Sequence, residues 1–295
     1  DKMNAISPVN LTDRTVTVGA GAITQNVQQA ARDADLFYPV DFASSGSSQI
    51  GGNIATNAGG INVIRYGMTR EWVAGLTVVT GKGEVLELNK GLMKNNTGLD
   101  FRHLFIGSEG ILGFITEATL KLTAPPKDPT VLVLGLSDMS AIMAVLDRIQ
   151  STTPLLAYEF FSELAVSKVV DHAGVARPFE TRTPFYALVE FERENDMTDA
   201  HVFDAVEQCM EEGWVIDAVM SQSVAQASAL WRLREDISET ISRWTPYKND
   251  ISSTVSKVPE LLAAVDDVVH ENYPDWEVVW YGHIGDGNLH LNILK

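Results

Sequence analysis

The segment Pro125-Pro126-Lys127-Asp128-Pro129 constrains the fold more than any other part of the chain. Three prolines in five residues remove backbone donors and fix φ, so neither a helix nor a central strand runs through it. It divides the 295 residues into two pieces, 1–126 and 127–295, each of ordinary domain size. Residues 1–126 read as short strands between Gly-rich turns. Thr15–Gly19 is strand-like, Gln25–Ala34 a short helix, Gly75–Thr80 and Glu84–Leu88 strands around Gly81-Lys82-Gly83, and Gly113–Leu122 a further strand. Residues 127–295 have another rhythm. Strand signals at Val131–Leu136, Phe185–Phe191, Glu277–Tyr281 and Leu289–Leu294 alternate with helices over Met139–Gln150, Asp199–Glu212, Gln222–Trp244 and Val258–Asn272. That order predicts an α+β fold, with a mixed or antiparallel sheet covered by helices on one face.

Charge and cysteine usage narrow the partners. Lys and Arg number 22 against 39 Asp and Glu, a net charge of −17. So acidic a surface argues against nucleic acid and anionic membranes as partners, while a few local cations still suffice for a small anionic substrate. No apolar run approaches the ~20 residues of a membrane span. The single cysteine, Cys209, excludes a disulfide framework and fits a reducing, cytoplasmic compartment. It falls in a predicted helix without a supporting His and reads as an ordinary helix residue.

Ser44–Gly60 reads SSGSSQIGGNIATNAGG. Five glycines there permit positive φ and close approach of backbone N–H groups to a ligand, and the small polar side chains add donors without bulk. The spacing is neither G-x-G-x-x-G nor a Walker A loop. Composition alone leaves open a plain Gly-rich loop and a loop for a pyrophosphate or polar ring system.

Two further segments carry chemistry. Trp280–Asn292 reads WYGHIGDGNLHLN, and Asp286-Gly287 predicts a type I′ turn. A two-residue loop would pair Ile284 with Leu289 and His283 with His290, Cβ atoms ~4.5–5.5 Å apart on one sheet face. Two imidazoles so placed can chelate a divalent cation, or simply form a packed His pair. In WRLREDISE, Arg234 and Ser238 stand at i, i+4 and face the same way, and Lys248 follows in an extended YKND segment. Arg234 suits bidentate capture of a carboxylate, although a surface ion pair explains it equally well. His172 reads as a surface or turn residue and His103 as structural.

The strings IGGNIATNAGG, Arg65-Tyr66-Gly67, LTVVTGKGEVL and LFIGSEGILGFITEATLKL together resemble the FAD-binding domain of the vanillyl-alcohol-oxidase superfamily. The similar branch is that of the D-lactate dehydrogenases, the glycolate oxidase flavin subunit and the D-2-hydroxyglutarate dehydrogenases. The resemblance implies the second half of a PCMH-type FAD-binding domain (residues 1–126), then most of a substrate-binding cap (residues 127–295). It implies that Pro39, Ser47, Gly51, Gly52, Asn53, Asn57, Gly59 and Gly60 approach the flavin or diphosphate, with Gly110 and Ile115 near the adenine. No His lies in the Gly-rich stretch, so FAD is expected to be non-covalent. A further diphosphate loop is expected upstream of residue 1.

H-x-G-D-G-N-x-H resembles the metal motif of the same branch. It implies that His283 and His290 hold zinc or manganese, completed by a Glu beyond Lys295, where the catalytic base is also expected. W-x-x-R-E with a later Y-K resembles the substrate segment, which implies that Arg234, Ser238 and Lys248, with Asn288, contact the substrate. The expected activity is oxidation of a D-2-hydroxy acid, D-2-hydroxyglutarate or D-lactate, by hydride transfer to FAD. An electron-transfer flavoprotein or quinone is the expected acceptor, and a homodimer is compatible. Two alternatives remain: a flavin-binding fragment or subunit without turnover, and a non-redox relative of the alkyl-glycerone-phosphate synthase type. His283 and His290 around GDGN favour the dehydrogenase branch.

Overall fold

The computed structural model describes residues 2–193 and 196–295. The chain forms two compact units, Asp1–Pro126 and Lys127–Lys295, which meet at the proline-rich segment. Among the described residues no helix is long and apolar enough to cross a membrane.

The first unit runs β1 (Thr15–Gly19), α1 (Thr24–Arg32), α2 (Ile50–Thr56), α3 (Val63–Tyr66), α4 (Thr69–Trp72), β2 (Val73–Thr80), β3 (Val85–Leu88), α5 (Arg102–Phe105) and β4 (Gly113–Lys121). Its antiparallel sheet has the order β1-β4-β2-β3. Alternation along β1 and the end of β4 builds its covered face: Val16 and Val18 of β1 and Ala118 and Leu120 of β4 point to one face and are buried. Val27 and Ala31 of α1, and Ile50 and Ile54 of α2, close over that face with Tyr38. The Gly-rich stretch corrects an expectation. Part of it is helical, and of its five glycines only Gly60 adopts positive φ (+128°). The helix ends at Asn57 in the left-handed region (φ 50°), which Asn tolerates better than most side chains.

The second unit runs β5 (Pro129–Leu136), α6 (Met139–Gln150), β6 (Leu155–Ser162), α7 (Glu163–Ala173), β7 (Phe185–Glu192), α8 (Asp196–Glu211), β8 (Val215–Met220), α9 (Val224–Glu235), α10 (Ile237–Ile241), β9 (Tyr247–Ser252), α11 (Val258–Asn272), β10 (Glu277–His283) and β11 (Asn288–Leu294). The seven strands form an entirely antiparallel sheet, β8-β5-β7-β6-β10-β11-β9. Helices lie on both faces, not one. On the first, Tyr158 of β6 donates to the Ile142 carbonyl of α6 (2.6 Å), and Trp280 of β10 donates to Asp266 of α11 (2.7 Å). On the second, Trp231 of α9 donates to Glu190 of β7 (3.1 Å).

Two further features depart from the sequence pattern. Central strand β6 carries no alternation signal because all eight of its residues are buried. The helix expected over Gln222–Trp244 is broken: Ser223 caps α9, Asp236 separates it from α10, and residues 242–244 form a 3₁₀ turn. Asp236 has ψ −6°, a turn value, and its carboxylate accepts from Nε and Nη2 of Arg232 (3.0 and 2.8 Å).

Candidate active site

Directly paired residues of an antiparallel sheet share a face, and the face repeats every second residue. The register therefore puts Glu159 and Phe161 of β6, Tyr281 and His283 of β10, Asn288, His290 and Asn292 of β11, and Lys248 and Asp250 of β9 on one face. Helices α9 and α10 bring Arg234 and Ser238 to it. Lys248 Nζ donates to Ser238 Oγ at 3.2 Å, while Arg234 Nε donates to Glu159 Oε2 at 2.7 Å with its guanidinium 4.8 Å from the Tyr281 ring centroid. The substrate residues expected from the sequence thus meet the expected histidines on one surface.

At the centre is Glu159, 1% exposed. Burial pushes its carboxyl up, but the charges and hydrogen bonds of His283 and Arg234 outweigh burial and hold it below the ordinary value. An ionised carboxylate only accepts, so His283 Nδ1, 2.7 Å from Glu159 Oε1, carries the hydrogen. His290 Nδ1 is bonded in the same way to Asp250 Oδ1, its register partner on β9. Burial, then the charges of Arg234 and His283, lower the His290 basicity despite Asp250. With both Nδ1 atoms engaged, each ring in its neutral form has the Nε2 lone pair left for a ligand. The two rings sit 5.2 Å apart, centroid to centroid, at 79°.

The hairpin register differs from the expected one. His283 pairs with Asn288 and Tyr281 with His290, leaving a four-residue loop, Ile284–Gly287. A type I′ turn needs φ > 0 at both central residues, and here only Gly287 has it (+81°). Ile284, expected on a strand opposite Leu289, is fully buried, and Gly285 N–H donates to the Tyr158 carbonyl (3.1 Å). The change lengthens the loop by two residues, so the face is kept. His283 and His290 are diagonal neighbours instead of a directly opposed pair.

Among the described residues no three His, Cys, Asp or Glu side chains come together as a metal cage. The donor set nevertheless fits two-point attachment of a cation: two imidazoles oriented by carboxylates, with Nε2 facing away from them. On the same face, Asn292 Oδ1 is buried without a hydrogen-bond partner among the described residues, an acceptor available to a donor such as a hydroxyl.

In the first unit, Gly52 and Gly110 expose bare backbone: a Cβ on either would meet nothing within 4 Å. That fits a group lying against the main chain. Gly51 is small for another reason, since its Cβ would sit 2.7 Å from that of Ala20. Gly60 lies against Asp41, whose carbonyl oxygen would be 1.9 Å from an added Cβ, and Gly59 packs near Val63. Asn53 and Ile115 are turned into the core, Asn53 donating to Thr24 Oγ1 (2.7 Å). Pro39 is buried with its carbonyl accepting from Asn62 (3.2 Å), Asn57 accepts from Arg70 N–H (3.0 Å), and Ser47 is exposed.

The remaining marked residues take structural places. His172 is exposed on α7 with its ring 5.1 Å from that of Trp244, and His103 bonds to Arg70. Cys209 is buried in α8, where burial pushes its thiol up. Glu159 and Asp250 were not recognised in the sequence. The one available sign was a carboxylate inside the apolar run LLAYEFF.

Residues 125–295 match the model of the C-terminal domain of FAD linked oxidases, and residues 1–89 match an FAD binding domain. The chain belongs to the FAD-linked oxidases. FAD is the cofactor of this family. A D-2-hydroxyglutarate dehydrogenase of Stutzerimonas stutzeri is 60% identical over the whole chain, which covers 64% of that protein. One from Xanthomonas citri pv. viticola is 53% identical over the whole chain and is covered to 62%. The mitochondrial D-2-hydroxyglutarate dehydrogenase of Danio rerio is 35% identical over 99% of the chain and is covered to 55%. This FAD-linked oxidase chain thus spans between about half and two thirds of the length of these relatives. Among solved structures, an alkyldihydroxyacetonephosphate synthase has a TM-score of 0.75 at 18% identity, covering 99% of this chain and 57% of that one. A 4-ethylphenol oxidase from Gulosibacter chungangensis has a TM-score of 0.70 at 14% identity, covering 100% of this chain and 64% of that one. These likenesses show a shared fold.

Proposed function

We propose that the complete protein is an FAD-dependent dehydrogenase that oxidises a D-2-hydroxy acid to the 2-oxo acid, with D-2-hydroxyglutarate preferred over D-lactate. The observation that carries this reading is the single sheet face that gathers Arg234, Ser238, Lys248, His283 and His290. The names of the relatives favour the same substrate.

Arg234 takes the 1-carboxylate through its Nη1–Nη2 edge, since Nε is already committed to Glu159. Lys248, held by Ser238, is the second cation and suits the distal carboxylate of a dicarboxylic acid. His283 and His290 would hold a zinc or manganese ion through Nε2, and such an ion would make a bound 2-hydroxyl more acidic. Non-covalent FAD, when bound, would supply the redox chemistry that takes up the C2 hydride, while the 2-hydroxyl proton would pass to a general base of the complete protein. Asn288, the register partner of His283, and the unsatisfied Asn292 Oδ1 offer polar groups to the substrate. An electron-transfer flavoprotein or a quinone, acting in the cytoplasm, would reoxidise the flavin.

The test is anaerobic flavin spectroscopy of the complete protein. D-2-Hydroxyglutarate should bleach the oxidised flavin band faster than D-lactate at equal concentration, and the L-enantiomers should leave it unchanged. Treatment with a chelator should slow bleaching, and zinc or manganese should restore it. No bleaching by any 2-hydroxy acid would refute the dehydrogenase reading, and indifference to chelation would remove the cation from it.

A further inference from the structure

Glu159 has no role in the reading above, yet it holds both groups that the reading depends on. It sits in the middle of the sheet, 1% exposed, between apolar neighbours Tyr158 and Phe160. Burying a carboxylate is expensive, and a buried ion pair adds little to a fold that apolar residues would not supply equally well. Its two oxygens are divided: Oε2 takes Arg234 Nε and Oε1 takes His283 Nδ1, each at 2.7 Å. Neither bond uses the atom needed for a ligand. On Arg234 neither Nη1 nor Nη2 has a hydrogen-bond partner among the described residues, and the guanidinium is held by the bond at Nε and by the Tyr281 ring beneath it. On His283 an acceptor at Nδ1 selects the Nδ1–H tautomer, which puts the lone pair on Nε2.

We propose that Glu159 is a positioning residue that couples the two halves of the site. One carboxylate aims the arginine fork at the substrate carboxylate and fixes the histidine tautomer that offers Nε2 to a cation. This rests on the reading that Arg234 binds substrate and His283 a divalent ion. It also accounts for a charge at a place where the fold alone favours an apolar side chain.

The experiment uses the complete, flavin-loaded protein with Glu159→Gln and Glu159→Asp. Gln keeps the volume but has one acceptor oxygen. If that oxygen faces Arg234, its amide donates to His283 Nδ1 and shifts the ring hydrogen to Nε2. Asp keeps the charge opposite Arg234 but is one methylene short of bridging both partners, so it decides the matter if the Gln variant does not fold. Zinc affinity is measured by calorimetry without substrate, and KM and kcat for D-2-hydroxyglutarate separately, with flavin content and melting temperature recorded. Glu159→Gln should weaken zinc binding by about 10-fold or more and raise KM by a similar factor, as loss of a ligand-orienting carboxylate does. Glu159→Asp should show both losses in smaller measure, with flavin content unchanged in both variants. A lower melting temperature with unaltered zinc affinity and KM would mean that Glu159 is only structural, and would overturn the proposal. His283→Ala and Arg234→Lys are the controls. If they impair zinc binding and KM respectively while the Glu159 variants do not, the positioning role falls and the functional reading stands. If the controls are silent too, the reading falls and the proposal with it.

Discussion

Asp286 stands in the loop between the two histidine strands, and its burial has a calculable consequence. Burial pushes its carboxyl from 3.8 up to about 6, and the Glu159 charge adds to this; the Asn288 N–H bond (3.0 Å) and His283 oppose it. The folded protein therefore holds this proton more tightly than the unfolded chain. The stability from the group is fully present below the unfolded value and is lost as pH rises through about 6. At about 1.36 kcal/mol per pH unit, the loss by pH 8 is at most ~3 kcal/mol. Asp286→Asn keeps the acceptor for Asn288 N–H and removes the charge. The variant should gain about 1.5 kcal/mol over the parent at pH 5 and up to ~3 kcal/mol at pH 8, the gap between the two pH values being the diagnostic quantity. Urea unfolding at both pH values, followed by tryptophan fluorescence with a chelator present, measures it. A gain equal at pH 5 and pH 8, or a variant less stable at pH 8, would refute the assignment, because ionisation of the buried Asp286 makes the difference grow with pH.

Two further outcomes are expected. Gly52→Val, whose Cβ meets nothing, should fold normally but lose flavin if the backbone there lies against the cofactor; Gly60→Ala, at φ +128° and with Asp41 O at 1.9 Å, should fold poorly whatever its ligand. Flavin content after purification and the melting temperature separate the two. Lys248→Met, at an exposed residue whose ammonium donates to Ser238, should raise KM for D-2-hydroxyglutarate by about 10-fold, the worth of one charge-assisted hydrogen bond, and change KM for D-lactate much less. Equal effects on both substrates would remove Lys248 from recognition of a distal carboxylate.

Much of this architecture was legible locally. The prolines at 125, 126 and 129 marked the junction of the two units, because a missing N–H and a fixed φ act on the spot. Helices Met139–Gln150 and Val258–Asn272 and strand Thr15–Gly19 were readable from their periodicity. That His283 and His290 share a face followed from parity, which survived a wrong loop length because the error was two residues. The type I′ turn was misread because Asp286-Gly287 permits more than one turn, and the choice was made by the burial of Ile284 and by Tyr158, more than 120 residues earlier in the chain.

Burial on both faces erases the alternation that identifies a strand in β5 and β6 alike, but the β5 run has the β-branched Val131 and Val133 to mark it, whereas the β6 run LLAYEFF has no β-branched residue. With β6 went Glu159. Its partners lie 75 and 124 residues away: the pairing of β6 with β10 brings His283 to it, and the packing of α9 on that face brings Arg234. The sequence alone determined which residue types were present and which faces they could share, because backbone periodicity is local. Which carboxylate meets which cation was decided by strand order and by the packing of α9 on the sheet, and both follow from burying the two faces of one sheet across the whole second unit.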